Sequence, residues 1–315
     1  MNERRTGIIT RAQSGFFTVQ SEEDSVVCTI RGQLQEIRRD TDLAALGDRV
    51  TFLTQADGTG IIEAIAERSR VLSRRAPSGH SRQTPKFRDR SVEQVLVANP
   101  DQAVFVFSCT EPDPNMRMLD RCLVTASANQ IPALICVNKI DRVGPQETPG
   151  LFSIYEHIGY HVVYTSALFG TGITNLRTTL QGKLSVLVGP SGVGKSTLLN
   201  KIQPGLRLQV QSVSHSTSKG RHTTVFPQLL RLDGGGWVAD TPGLRALDFF
   251  DLEPEELDAY FVEIAPLVSE CAFSDCSHTH EPNCAVRTAA ESGIIHPLRY
   301  DSFKRMRLGQ EYPEA

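Results

Sequence analysis

The sequence predicts a multidomain chain with a small N-terminal β-barrel, a central α/β domain and a helical, metal-binding C-terminal module. Residues 1–71 contain short β-rich runs separated by turn residues, which is typical of a small barrel. Strands and helical stretches then alternate over residues 93–248, as in a parallel sheet covered by helices. Helical spacing without strands follows in residues 249–315, around a group of cysteines and histidines. A basic linker, residues 72–92, separates the first two domains.

Composition narrows the class of protein. The formal net charge of -3 means that contact with a polyanion would have to come from local basic clusters. The longest apolar runs, such as Ala103–Phe107, are strand-sized, so we expect neither a signal peptide nor a membrane span. Of the 7 cysteines, those near the C-terminus lie together with histidines, which fits a reduced, cytoplasmic protein with one metal cluster. A monomer is expected.

The barrel segment favours an OB-like barrel, although a five-stranded SH3-like barrel would leave much the same pattern. Its β-rich runs are Gly7–Thr10, Phe16–Val19, Val26–Ile30, Val50–Leu53 and Gly60–Glu63. The stretch from Arg68 to Arg90 is rich in arginine and contains Pro77, Gly79 and Pro85, so we interpret it as an exposed linker. Binding of RNA phosphates and plain solvation explain such a stretch equally well.

A glycine-rich loop follows the predicted strand Leu184–Val188 and precedes a predicted helix. Its residues are Gly189, Pro190, Ser191, Gly192, Val193, Gly194, Lys195 and Ser196, and Thr197 continues into the helix. In this context the pattern predicts a phosphate-binding loop, whose backbone N–H groups converge on phosphates at the positive end of the helix. Lys195 is expected to reach the terminal phosphates and Ser196 to hold Mg²⁺.

A second motif, Asn138-Lys139-Ile140-Asp141, comes directly after the predicted strand Ala133–Val137. The carboxylate of Asp141 can accept hydrogen bonds from N1–H and the exocyclic amine of guanine, a donor pair that adenine lacks. Asn138 and Lys139 would brace the pocket. Ser166 and Ala167 end a further strand, and their backbone amides are expected to face the guanine carbonyl. The two motifs together predict GTP and GDP as ligands.

Two further segments are predicted to sense the γ-phosphate. Asp240 and Gly243 follow the strand Trp237–Ala239, so Asp240 can act on Mg²⁺ through water while the Gly243 amide faces the phosphate. The other segment precedes this one in the chain and contains Thr223 and Thr224. One of these two threonines is expected to bind Mg²⁺.

The side chain that would orient the attacking water is not obvious. Leu244 stands after Gly243, where Ras-like enzymes have a glutamine. His222 is the nearest substitute, although an exposed loop histidine without a catalytic role explains this residue equally well. We therefore expect slow intrinsic hydrolysis that a partner accelerates.

The order of the motifs is inverted relative to Ras-like chains. The two predicted guanine-reading elements, which begin at Asn138 and Thr165, precede the phosphate loop and the switch residues. The central domain is therefore predicted to be a circularly permuted α/β P-loop GTPase domain. As a consequence, the chain leads from Asp240 straight into the C-terminal module.

The C-terminal cluster consists of Cys271, Cys276, His278 and Cys284, with His280 as a competing ligand. Three thiolates and one imidazole form the sulfur-rich tetrahedral set that Zn²⁺ prefers. A filled four-ligand shell leaves no open position, so the predicted zinc is structural rather than catalytic.

These motifs, in this order, resemble the circularly permuted GTPase family RsgA, also called YjeQ, which depends on the small ribosomal subunit. The resemblance covers nearly the whole chain, including Cys271–His278 and Glu281–Val286. It implies an OB-fold that contacts ribosomal RNA (rRNA), late maturation of the small (30S) subunit, and GTP hydrolysis that this subunit stimulates.

The resemblance also bears on single residues. It implies Zn²⁺ on Cys271, Cys276, His278 and Cys284, and a catalytic role for the switch histidine, here His222. Asn283 stands where the family often has glycine, and an αL turn tolerates asparagine.

A GTPase that assists late maturation of the small subunit is the first functional hypothesis. The alternative is a nucleotide-gated RNA-binding scaffold with incidental hydrolysis, which the missing glutamine favours. A third hypothesis places the same GTPase on the large subunit or on tRNA modification.

Overall fold

The computed structural model describes most of the chain. The described residues are 3–32, 43–75, 93–144, 150–206, 208, 227–240 and 252–310. They form an 11-stranded sheet, part of which closes into a barrel, a separate 2-stranded sheet and a set of short helices. Among these residues, no helix is long and apolar enough to cross a membrane.

The N-terminal strands form a closed five-stranded barrel. They are β1 (Arg4–Gln13), β2 (Phe16–Gln20), β3 (Ser25–Ile30), β4 (Arg49–Thr54) and β5 (Gly60–Ile65). The strands pair in the order β1-β2-β3-β5-β4, and β4 returns to pair with β1. Because β3 and β5 run parallel, the barrel differs from an SH3-like barrel, whose strands are antiparallel, and the predicted OB-like barrel is confirmed. Alternate side chains, such as Ile9, Val19 and Phe52, are fully buried inside.

The sequence predicts that the basic stretch after the barrel is a linker over its whole length. The first residues of this stretch instead form a strand. Residues Val71–Arg75 form strand β6, which pairs with β7 (Glu93–Ala98) in a two-stranded sheet. Arg68 is also fixed, because its Nε and Nη2 each donate to a carboxylate oxygen of the fully buried Asp48 at 2.8 Å. Sequence reasoning missed both interactions because the partners lie far away along the chain. Residues 76–92 of the predicted linker lie outside the described residues.

The central sheet has the order β10-β9-β8-β11-β13-β12. Its strands are β8 (Gln102–Ser108), β9 (Ala133–Asn138), β10 (His161–Tyr164), β11 (Leu184–Val188), β12 (Gln228–Arg231) and β13 (Trp237–Asp240). All neighbours run parallel except β12, which pairs antiparallel with β13. Every residue of β8 and β11 is buried, as predicted for strands covered on both faces. Gln228 of β12 also pairs with Arg11 of β1, which joins the barrel to this sheet.

Short helices connect and cover the central strands. They are α1 (Met116–Ala128), α2 (Ser153–His157), α3 (Ile173–Leu180) and α4 (Lys195–Ile202). One face of α1 is apolar and buried, including Leu119, Cys122 and Leu123. Asn115 caps this helix, since its Oδ1 accepts a hydrogen bond from the Met118 amide at 3.0 Å.

The C-terminal module contains α5 (Leu257–Tyr260), α6 (Ala285–Glu291) and α7 (Pro297–Arg307). The helical spacing predicted for residues 249–315 is only partly realised as helix here, because the backbone becomes extended at Phe261. Phe261 and Ile264 are nevertheless fully buried, in an apolar cluster that also contains Phe303. A short helix followed by turns therefore buries the apolar residues whose spacing predicts a longer helix.

Candidate nucleotide-binding site and metal site

The glycine-rich loop lies between the carboxyl end of β11 and the start of α4. A Cβ atom on Gly189 would lie 2.1 Å from the carbonyl oxygen of Val106. Gly194 has φ +99°, and a Cβ there would lie 2.4 Å from Nδ2 of Asn138. At these two positions a side chain would collide with the neighbouring strands, so the loop can adopt this close approach only with glycine.

Lys195 is held inside the loop. Its Nζ donates to the carbonyl oxygens of Gly189 and Pro190, at 2.5 and 2.7 Å. The helix α4 begins at Lys195, so its unpaired N–H groups and the positive end of its dipole face the same loop. This arrangement can bind a phosphate group, for which the ammonium would exchange its carbonyl partners.

The Asn138 side chain connects three loops that the sequence treats separately. Its Nδ2 donates to the carbonyl of Val193 in the glycine-rich loop at 2.9 Å. Its Oδ1 accepts from the Ala167 amide and from the Thr165 hydroxyl, both at 3.2 Å. Asn138 is 2% exposed, so these bonds form away from water. The expected guanine-reading loops and the phosphate loop are therefore fixed to one another by a single carboxamide.

Asp141 and Ser166 lie next to each other at the expected base-binding end. The Ser166 hydroxyl donates to Oδ1 of Asp141 at 2.5 Å and accepts from the Phe169 amide at 3.1 Å. Asp141 is exposed, so its carboxylate is open to a ligand. The contact brings together residues that are far apart in sequence.

Lys139 stabilises the base-binding end of the site by a hydrogen bond from its side chain to a backbone carbonyl. It adopts a left-handed conformation with φ 64°, and its Nζ donates to the Glu111 carbonyl. Burial lowers the pKa of Lys139, and the nearby Asp141 opposes this shift. Glu111 also forms an ion pair with Arg142. Sequence reasoning missed Glu111, because an acidic residue in the loop after β8 carries no local motif.

Two adjacent segments of the chain match known protein families. Residues 65–250 match the family described as RsgA GTPase, and residues 6–62 match the RsgA N-terminal domain. The chain belongs to the RsgA GTPase family.

Two relatives match along nearly the whole chain. The small ribosomal subunit biogenesis GTPase RsgA of Gemmatimonas aurantiaca is 41% identical over 310 residues, covering 98% of each chain. The protein of the same name from Thermotoga maritima is 38% identical over 313 residues, covering 97% of each chain.

Two solved structures are similar over the same length. The crystal structure of YjeQ from Thermotoga maritima has a TM-score of 0.77 at 35% identity, with 98% of each chain covered. YloQ, described as a circularly permuted GTPase, has a TM-score of 0.73 at 32% identity, covering 99% of this chain and 98% of that one. The central domain of this RsgA family member is thus a circularly permuted GTPase domain, as the motif order predicts.

The structure does not describe several residues that the sequence predicts for the RsgA-type site. His222, Thr223, Thr224, Gly243 and Leu244 are outside the described residues. For Asp240, the structure gives only the backbone, which ends β13 opposite Gln228. Their roles remain predictions.

The predicted metal ligands lie together. The ligand atoms of Cys271, Cys276, His278 and Cys284 are all within 4.8 Å of one another. Nδ1 of His278 lies 3.5 Å from Sγ of Cys271 and 3.4 Å from Sγ of Cys284. The side chain of His280 is 82% exposed and bonds to Thr279, so the structure favours His278 as the fourth ligand. Three sulfurs and one nitrogen at this spacing suit Zn²⁺.

Residues around the cluster fix the imidazole of His278. Its Nε2 lies 3.2 Å from Oδ2 of Asp258, which leaves Nδ1 directed at the sulfurs. The Tyr300 hydroxyl donates to the His278 carbonyl at 2.7 Å. When a histidine binds a metal through one ring nitrogen, a carboxylate that bonds to the other ring nitrogen sets the tautomer and the orientation of the imidazole. Sequence reasoning missed Asp258, which lies 20 residues before the histidine.

Glu281 orders the turn between the ligands. Its two carboxylate oxygens accept hydrogen bonds from the amides of Ser277, Thr279 and His280. Burial alone would raise the pKa of Glu281, but the hydrogen bonds from Ser277 and His280 lower it below its ordinary value. Asn283 has φ 56°, the left-handed conformation that the sequence analysis expects at this position. These hydrogen bonds order the turn that carries the metal ligands.

We predict that Asn138→Asp weakens GDP binding by about 10- to 100-fold, because an oxygen then faces the Val193 carbonyl in place of a donor. Titration with a fluorescent GDP derivative measures the affinity. The matched control is Asn175→Asp, the same change at an exposed position on α3, which should leave affinity unchanged. A folded Asn138→Asp protein with the affinity of the original chain would contradict the role assigned to this carboxamide.

We predict that His278→Ala loses most of its bound zinc, whereas His280→Ala keeps one zinc ion per chain, because only His278 faces the three sulfurs. Metal analysis of the purified proteins, after dialysis against a weak chelator, measures zinc content. Loss of zinc in His280→Ala together with retention in His278→Ala would reverse the ligand assignment.

Proposed function

We propose that this protein is a GTPase that assists late maturation of the small (30S) ribosomal subunit and hydrolyses GTP to GDP and phosphate. The observation that carries the proposal is the Asn138 carboxamide, which fixes a phosphate loop against two guanine-reading loops. Membership of the RsgA GTPase family supports the ribosomal function, since the curated relatives are named for biogenesis of the small subunit.

In this proposal the nucleotide phosphates lie in the loop before α4. The backbone amides of the loop and the Lys195 ammonium neutralise the phosphate oxygens, and the dipole of α4 adds positive potential. Ser196, in the first turn of α4, holds Mg²⁺ together with Thr223 or Thr224, and the ion offsets negative charge on the phosphates. The residues of this part are Gly189, Pro190, Ser191, Gly192, Val193, Gly194, Lys195, Ser196 and Thr197.

The guanine base lies at the other end of the site. The Asp141 carboxylate accepts two hydrogen bonds from the base, and the Ser166 hydroxyl holds the carboxylate in place at 2.5 Å. The backbone amide of Ser166 donates to the Thr171 carbonyl, and that of Ala167 donates to Asn138. These amides therefore do not face the guanine carbonyl as the sequence predicts, and their bonds position the loop before the nucleotide arrives. Lys139 and Ile140 form the remaining wall of the pocket.

Hydrolysis in this proposal depends on a partner. Leu244 is apolar and cannot orient water, so the chain lacks the usual side chain for that step. His222 is assigned this role, while Asp240 and Gly243 sense the γ-phosphate. Contact with the small subunit would complete the catalytic site around the nucleotide, which links turnover to the bound partner.

The barrel and the metal-binding module provide the expected contacts with the partner. OB barrels present an open face to nucleic acids, and the adjoining arginine-rich stretch supplies positive charge for rRNA phosphates. We assign one structural Zn²⁺ to the Cys271, Cys276, His278 and Cys284 cluster, where it would hold the C-terminal module in shape. A cytoplasmic location follows from a ribosomal partner.

We predict that Asp141→Asn lowers GTP affinity by at least about tenfold and raises the affinity for xanthosine triphosphate, because an amide complements the altered base edge. Competition between the two nucleotides for one labelled ligand measures the change. Asp113→Asn, an exposed carboxylate in the loop before α1, is the matched control and should keep guanine selectivity. Unaltered selectivity in Asp141→Asn would remove the basis of the guanine assignment.

The partner is tested by co-sedimentation with separated ribosomal subunits. With a non-hydrolysable GTP analogue, the full chain should sediment with purified small subunits and leave large subunits free. GDP should weaken the binding. Preferential sedimentation with large subunits, or equal binding to both, would contradict the proposed partner.

A further inference from the structure

A buried arginine connects the metal-binding module to the nucleotide-binding domain. Arg299, on α7 of the module, is 1% exposed. Its Nη1 donates to Oδ1 of Asp120 on α1 at 2.6 Å. Its Nε and Nη2 donate to the two carboxylate oxygens of Glu263 at 2.6 and 3.1 Å. Asp120 belongs to the GTPase domain and Glu263 to the module, so one guanidinium binds both units.

Aromatic rings from the same two units enclose the guanidinium. It lies 5.6 Å from the ring centroid of Tyr155 on α2 and 4.6 Å from that of Phe261 in the module. The Tyr155 hydroxyl donates to Oδ1 of Asp120 at 2.6 Å, which fixes the carboxylate. Burial lowers the pKa of Arg299, but Glu263 and Asp120 outweigh this effect and raise it above its ordinary value. The guanidinium therefore remains charged.

Apolar contact also joins the two units, but it has little directional preference. Val124 of α1 is buried in the apolar cluster of the module, beside Phe261 and Phe303. Apolar surfaces can slide with little loss of burial, whereas a buried guanidinium must keep its hydrogen bonds or leave charges unpaired. The hydrogen bonds of the Arg299 guanidinium can thus all form in one orientation of the module on α1.

The elements that carry the network are neighbours in the chain of the residues proposed to bind nucleotide and metal. The helix α1 precedes β9, which ends at Asn138, and α2 follows the Asp141 loop. On the module side, Glu263 lies between Asp258, which bonds to His278, and the first cluster ligand. One set of ionic contacts therefore connects the surroundings of the nucleotide site with the surroundings of the metal site.

We propose that Arg299 is a positioning residue that locks the metal-binding module onto the GTPase domain, so that the two unfold as one unit and a bound nucleotide protects the metal. The second half of this inference rests on the proposed guanine-nucleotide binding, whereas the first half does not. Linkage is reciprocal, so whatever stabilises one side of a rigid connection stabilises the other.

Two probes in the full chain test the connection. The chain contains 1 tryptophan, Trp237, which lies in β13 and reports on the GTPase domain. Cobalt in place of zinc gives a thiolate absorption band that reports on the cysteine cluster. In a urea titration of the original protein, the fluorescence and the cobalt band should change together.

The test variant is Arg299→Lys, which keeps a positive charge but cannot bind both carboxylates with a planar fork. The cobalt band should then disappear at a lower urea concentration than the fluorescence change. The matched control is Arg307→Lys on the same helix, where Arg307 donates to the Pro254 carbonyl within the module. Its two transitions should coincide. If Arg299→Lys does not fold, Glu263→Gln weakens the same pair more mildly, with the same expected separation.

Excess GDP is added as a second measurement. In the original protein GDP should shift both transitions to higher urea, and in Arg299→Lys it should shift only the fluorescence. Coincident transitions in folded Arg299→Lys would overturn the inference, and so would coincident transitions in Glu263→Gln if Arg299→Lys does not fold. Separate transitions in the original protein would overturn it as well. If GDP shifts neither transition of the original protein, the nucleotide assignment and the protection of the metal fail, while coincidence of the two probes still decides the role of Arg299.

Discussion

The hydrogen bonds of the Asn138 carboxamide are the interaction on which the proposed nucleotide site depends. A nucleotide has a base at one end and phosphates at the other, and in the proposed site these ends contact loops that follow three different strands, β9, β10 and β11. If the distance between these loops were not fixed, part of the free energy of nucleotide binding would be used to order the loops. Asn138 supplies this fixation because a carboxamide has a donor and an acceptor, and each is directed at a different loop.

The permuted order of the chain changes what is connected to this site. In the sheet, the guanine-side strands β8 to β10 lie on one side of β11, and β13 and β12 lie on the other. The last strand therefore leads from Asp240 into the metal-binding module instead of into the guanine loops. The module in turn folds back onto α1, where Arg299 meets Asp120. The C-terminal module thus contacts the nucleotide domain both through the chain and through packing.

Sequence alone predicted the parts of the molecule that depend on local pattern. The phosphate loop, the Asn138–Asp141 motif and the cysteine cluster are contiguous or nearly so, and each residue type is required by chemistry at a fixed spacing. The barrel and the parallel sheet were predicted from apolar periodicity, and the structure confirms both.

The parts that sequence did not predict depend on contacts between distant residues. Asp258 on His278, Asp120 on Arg299 and Asp48 on Arg68 all join positions that no local pattern relates. The sequence places Arg68 in an exposed arginine-rich stretch because charge in a sequence usually indicates exposure, and only the fold shows its buried carboxylate partner. The extended backbone at Phe261 was missed for a related reason, since turns can bury the same apolar spacing as a helix.

The central claim is a GTPase whose turnover depends on the small ribosomal subunit, and phosphate release from GTP measures it most directly. The full chain alone should hydrolyse GTP slowly, and purified small subunits should raise the turnover by at least about tenfold, because a partner completes a site that lacks its water-orienting glutamine. Large subunits should have little effect. Turnover that small subunits leave unchanged, while a GTP analogue still promotes binding to them, would contradict this account and favour a nucleotide-gated scaffold.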